Sequence, residues 1–109
     1  MQTQPTLFPP DPLAAAVEEI LSPPPPRARH LDDLSAALRR VCGIETWEIG
    51  GTSGLVDVTI RRPLHVRYQD ETRLRRLVRR LQQELADVTP IGYSCDPAHV
   101  CVVVRVVVG

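Results

Sequence analysis

Arg73, Arg75, Arg76, Arg79 and Arg80 fall within eight consecutive positions, the densest concentration of one charged group in the chain. A guanidinium is planar, permanently charged, and carries a fork of donors that matches carboxylates and phosphates. On a helix turning 100° per residue, with Leu74 at zero, the five lie between about 100° and 260°, on the side away from the leucines. Arg61, Arg62 and Arg67 precede them, so eight of the 13 arginines lie between positions 61 and 80. Such a face suits an acidic protein surface or a nucleic-acid backbone. The competing reading is a solvated helix face, partly neutralised by Glu71 with Arg75 and by Arg80 with Glu84 at i, i+4 spacing. The aromatic residues are Phe8, Trp47, Tyr68 and Tyr93, none inside the expected helix 71–88, which counts against binding by base stacking.

Other groups with chemical potential fit no complete constellation. Cys95, His99 and Cys101 lie within seven residues and are zinc-type ligands, but a structural zinc site takes four ligands and no second pair has matching spacing. Small buried thiols are the simpler reading. Gly50-Gly51-Thr52-Ser53-Gly54 lacks the spacing of a dinucleotide or nucleotide phosphate loop and reads as a hairpin turn, so no cofactor is expected. Ser22, Ser35, Ser53 and Ser94 have no nucleophile-elbow context, and the carboxylate pairs Glu18-Glu19, Asp32-Asp33 and Asp70-Glu71 sit at helix starts or on solvated faces. The run Pro23 to Pro26 followed by Arg27 misses the P-x-x-P-x-R spacing of an SH3 ligand. These readings point away from an enzyme.

Composition narrows the classes further. The 109 residues carry 13 arginines, no lysine and 13 carboxylates, a formal charge of zero. Neutrality disfavours a general nucleic-acid binder or a polybasic membrane protein. The charge is segregated, however: residues 1–60 hold 4 arginines and 8 carboxylates, and residues 61–109 hold 9 and 5. Three cysteines and no signal-peptide pattern suggest reduced thiols and a cytoplasmic protein. No apolar run approaches a membrane span.

Eight of the 11 prolines fall within residues 1–26, so the sequence divides into an arm, 1–29, and a domain, 30–109. In the arm, Asp11-Pro12 starts a short amphipathic helix over about 12–21. Its stripe, Leu13, Val17, Ile20 and Leu21, needs a surface to dock on, because isolated helices of that length are marginal in water. Pro23 to Pro26 form a stiff polyproline spacer. In the domain, Leu31, Leu34, Leu38 and Val41 mark a helix over 31–42, with Gly43 as a left-handed cap and Ile44 folding back on Leu38. Strand patterns follow at 44–49 and 55–62, joined by the glycine loop, and Leu64, Val66 and Tyr68 continue the alternation as an edge segment. The long helix spans 71–88, with Asp70 as N-cap and Pro90 beyond its end. Strands at 91–95 and 100–108 close the domain, the last apolar on both faces and therefore central or doubly covered.

The order helix, strand, strand, helix, strand, strand implies an α+β fold with two helices on one face of a four-stranded, mainly antiparallel sheet. It resembles the ferredoxin-like sandwich of the regulatory ACT-type domains with its first strand moved to the end. The resemblance implies an architecture and no ligand site. The expected function is a small interaction or regulatory module. It self-associates through its sheet and meets an acidic protein surface through the arginine face, without a membrane. An accessory nucleic-acid-binding protein is the alternative.

Overall fold

The computed structural model describes residues 23–109. The expected arm helix and its docking residues Leu13, Val17, Ile20 and Leu21 lie outside the described residues. The elements run α1 (Leu31–Val41), β1 (Thr46–Gly50), β2 (Gly54–Pro63), α2 (Arg67–Glu84), β3 (Val88–Cys95) and β4 (His99–Val108). The four strands form one sheet in the order β1-β2-β4-β3, with every neighbouring pair antiparallel. This is an α+β architecture with β4 inside the sheet.

Alternation along β4 sets the two faces. Val100, Val102, Val104, Val106 and Val108 are all buried, in one cluster with Val56, Val58 and Ile60 of β2. Leu34, Ala37, Leu38 and Val41 of α1 and Leu74, Leu77, Val78 and Leu81 of α2 close that cluster, so both helices lie on this face. The other face presents Cys101, Val103, Arg105 and Val107, and no described element covers it. There Arg105 pairs with Asp57 at 3.0 Å, and Leu55 is 65% exposed. A strand apolar on both sides therefore occupies a sheet with only one helical layer.

Several boundaries differ from the sequence expectation for local reasons. Helix α1 leaves through Cys42 in an extended conformation, and Gly43 is not left-handed. The Glu45 carboxylate holds the Gly43 N–H at 2.6 Å and draws the chain outward, leaving Ile44 62% exposed instead of packed on Leu38. Helix α2 starts four residues early, which brings Tyr68 into the helix at 79% exposure. It ends at Glu84, the C-cap Leu85 N–H reaches the Leu81 carbonyl, and Asp87 at φ 58° reverses the chain into β3. Pro90 lies within β3, beside a bulge between Pro90 and Gly92. An edge strand tolerates both, since its outer N–H groups serve no ladder. The hairpin loop needs glycine at Gly51, φ 107°, where an added Cβ would sit 3.2 Å from a Val56 methyl carbon.

Residues 26–29, assigned to the arm by composition, pack on the domain. Ala28 is fully buried and bridges in parallel to Val108, and its carbonyl accepts the Gly109 N–H. The Pro26 carbonyl accepts the Ala86 N–H, and Arg27 pairs with Asp87 at 3.2 Å. A chain beginning at residue 30 should therefore unfold at lower denaturant than one beginning at residue 23. The difference should be about 2 kcal/mol for two backbone hydrogen bonds and a buried methyl group. Equal midpoints would return the boundary to 29.

Candidate arginine face and interhelical cleft

Arg62 organises this end of the molecule. It follows Val56, Val58 and Ile60 on the helix-covered face of β2 and is only 6% exposed. Its Nε donates to Asp70 Oδ1 at 2.9 Å, and its Nη1 donates to Glu45 Oε2. Asp70 Oδ2 accepts the backbone N–H groups of His65 at 2.7 Å and Val66 at 2.9 Å, which starts α2. The backbone N–H of His65 and then the Arg62 guanidinium hold the Asp70 carboxyl down to about 2. Asp70 thus acts from inside the first turn, not as the N-cap, and the N-cap position belongs to Val66.

The eight arginines grouped by sequence do not form one face. Arg62 is buried and paired, so its guanidinium is not one of the exposed ones. Arg61, its neighbour on the strand, points to the uncovered sheet face, 3.8 Å from Glu48. Arg67 pairs with Glu71 at 3.2 Å, and Glu84 pairs with Arg40 across the helices at 2.7 Å. Neither expected neutralising pair, Glu71 with Arg75 or Arg80 with Glu84, is present. Arg75 sits 4.1 Å above the Tyr93 ring in a cation–π contact with β3. Among the described residues, Arg73, Arg76, Arg79 and Arg80 are exposed and have no carboxylate within 4.0 Å.

Three of these four line a cleft. Arg73, Arg76 and Arg80 border an open hollow of about 460 Å³ between α2 and the end of α1, with Val41, Ile44 and Leu77 as apolar lining. Glu45 and Arg62 also contribute to it. The Glu45 carboxylate is held by Arg62 and the Gly43 N–H, and because Asp70 shares the same cation the buried trio carries one negative charge beneath the three guanidinium groups. The hollow combines three exposed guanidinium groups, in excess over the single negative charge beneath them, with an apolar lining.

The other sequence candidates are dispersed. Cys95 faces the helices from β3, whereas Cys101 lies on the uncovered face of β4. Among the described residues no group of three or more His, Cys, Asp or Glu side chains is placed to hold a metal ion. Burial pushes the Cys42 thiol up to about 11, with Glu45 adding to the shift, which removes thiolate reactivity near neutral pH. Thr52 and Ser53 of the glycine loop lie beside the start of α1, whereas the cleft lies at its end. No described helix is long and apolar enough to cross a membrane.

No family model, curated protein or solved structure matches the chain.

Glu45 carried no sequence signal, but Arg62 did. Alternation in β2 places it on the same side as Val56, Val58 and Ile60, and a charge in that register calls for a buried carboxylate. Two outcomes follow. Arg62→Gln should cost about 3–5 kcal/mol in denaturant unfolding, because Glu45 is then left buried without its cation. Because folding lowers the Asp70 carboxyl from 3.8 to about 2, its contribution is complete above about pH 4 and lost as pH falls toward 2. The melting temperature should fall through that window, and Asp70→Asn should flatten the decline while lowering stability at pH 7.

Proposed function

We propose that the chain is a small non-enzymatic interaction module that binds an acidic protein surface through Arg73, Arg76, Arg79 and Arg80. The observation that carries this reading is that these four guanidinium groups stand along one helix, exposed and, among the described residues, without carboxylate partners. The neighbouring acids Glu71 and Glu84 are engaged elsewhere. Four like charges on consecutive turns repel one another, and an acidic partner relieves that repulsion. The apolar lining beside them adds an anchor for a partner side chain.

Two further parts of the reading have their own support. The strand order β1-β2-β4-β3 is the one obtained when the first strand of a ferredoxin-like sandwich is moved to the end, which supports that fold. Self-association through the sheet is supported by the uncovered face, where Val103, Val107, Leu55 and Cys101 lie between charged pairs. A two-fold dimer uses one such patch twice. A reducing compartment suits the three free thiols.

Nucleic acid is the second reading, favoured by Tyr68, which stands exposed on the arginine helix itself. Salt separates the two, since displacement of ions from phosphates gives a steep, linear loss of log affinity with log salt. The test replaces Arg73, Arg76, Arg79 and Arg80 by Gln and compares capture from native extract with and without nuclease. Stability should move by no more than about 1 kcal/mol, because these charges are exposed. Capture of a partner by the wild-type chain should survive nuclease and be lost in the variant. Nuclease-sensitive capture would favour nucleic acid, and undiminished capture by the variant would leave the face as solvated surface.

A further inference from the structure

We propose that the interhelical cleft is a seat for one amphipathic helix of a partner protein, a helix with carboxylates at i, i+4 and i+7 beside an apolar row. This rests on the reading that the arginine face binds an acidic protein surface, and it names the form that surface takes. Arg73, Arg76 and Arg80 line the hollow, whereas Arg79 does not. The three guanidinium groups exceed by two the single negative charge of Arg62, Glu45 and Asp70 beneath them, so the cleft attracts an anion.

The spacing of the charge decides what form the anion takes. Along α2 the three positions are separated by about 4.5 and 6 Å, and around its axis they fall within about 60° of one another. Carboxylates at i, i+4 and i+7 on a helix lying antiparallel to α2 repeat those intervals, and read from the other end the same row is i, i+3 and i+7. An extended strand brings side chains to one face only every ~6.8 Å, so three acids on one face cover about 13 Å and fall out of step with the arginines.

The apolar lining requires the second row. With Leu74 at zero on the helical wheel, Arg76, Arg80 and Arg73 lie at about 200°, 240° and 260°, and Leu77 follows at about 300°. The basic row thus borders an apolar position, and Val41 and Ile44 extend that apolar strip from the end of α1. Ile44 is exposed, so a partner leucine laid against it removes apolar surface from water on both molecules. A sugar–phosphate backbone satisfies the guanidinium groups but sets nothing against Ile44 and Leu77.

The test measures binding of fluorescein-labelled probes to the full chain by anisotropy at low salt. The first probe is three repeats of Glu-Leu-Ala-Gln-Glu-Ala-Ala, a helix former with leucines beside its carboxylate row. The second, built on Glu-Leu-Pro-Gln-Glu-Pro-Ala, keeps the charges and leucines but cannot be helical. The third, built on Glu-Ala-Ala-Gln-Glu-Ala-Ala, keeps the helix and the charges without leucine. A thymidylate strand of matching charge is the fourth. The first should bind roughly tenfold more tightly than the second or the third. Ile44→Ser, at an exposed position, should weaken the first severalfold and leave the third unchanged. Arg76→Gln should weaken the first more than Arg79→Gln does, although each removes one charge from the same helix, and R73Q/R76Q/R80Q should lose it. Equal affinity for the three peptides, or indifference to Ile44→Ser, overturns the proposal. If the triple variant still loses the peptides in that case, the acidic-partner reading stands without it. A preference for the thymidylate strand over the first peptide overturns both in favour of nucleic acid. Absence of peptide binding, or equal binding by the wild type and the triple variant, overturns both as well.

Discussion

A guanidinium removed from water must be met by carboxylates, and the placement of Arg62 imposes that requirement on three separate elements. The alternation of β2 turns it toward the helices. Asp70 reaches it from the first turn of α2, and in doing so ties down the two backbone N–H groups that begin the helix. Glu45 reaches it from the connection after α1, and that connection therefore runs extended instead of closing over the helix end. The start of α2, the exposure of Ile44 and the shape of the cleft follow from one buried charge. Pairs of this kind seldom add net stability over an apolar core, but they penalise any arrangement that separates the partners.

Most of the domain was legible in the sequence because its elements obey simple periods. The valines of β4 and the leucines of α2 announced a central strand and a buried stripe, and the structure places both accordingly. Element ends were less legible, because they depend on contacts between residues distant in sequence. The extended exit at Gly43 depends on Glu45, and Pro90 falls inside a strand because β3 lies at the sheet edge. The packing of residues 26–29 was hidden for the same reason: proline content marks where a helix cannot form, whereas Ala28 is held by β4, about 80 residues away in the chain.

The candidate site was legible as a composition and less so as a geometry. A helical wheel separates Arg73, Arg76, Arg79 and Arg80 from the leucines. It does not say that Arg75 will lie on Tyr93, or that Glu71 and Glu84 will turn to Arg67 and Arg40. Those choices leave four guanidinium groups of α2 without a carboxylate among the described residues. Arg61 and Arg62 show the limit of counting charges along a sequence, since adjacent strand positions face opposite sides of the sheet.

The position of β4 also has a kinetic consequence. The strand that joins both halves of the sheet follows the other three in the chain, and its pairing with β2 links Gly54 to Val108 and Pro63 to His99. The hairpins β1–β2 and β3–β4 close locally, whereas their union must wait for a loop of several tens of residues to close. Until then Val56, Val58 and Ile60 lie along an unpaired edge, during synthesis as well as during refolding. Docking of the two hairpins is therefore the slow, concentration-sensitive stage, at which chains of this protein compete with one another for the same valine-rich strand.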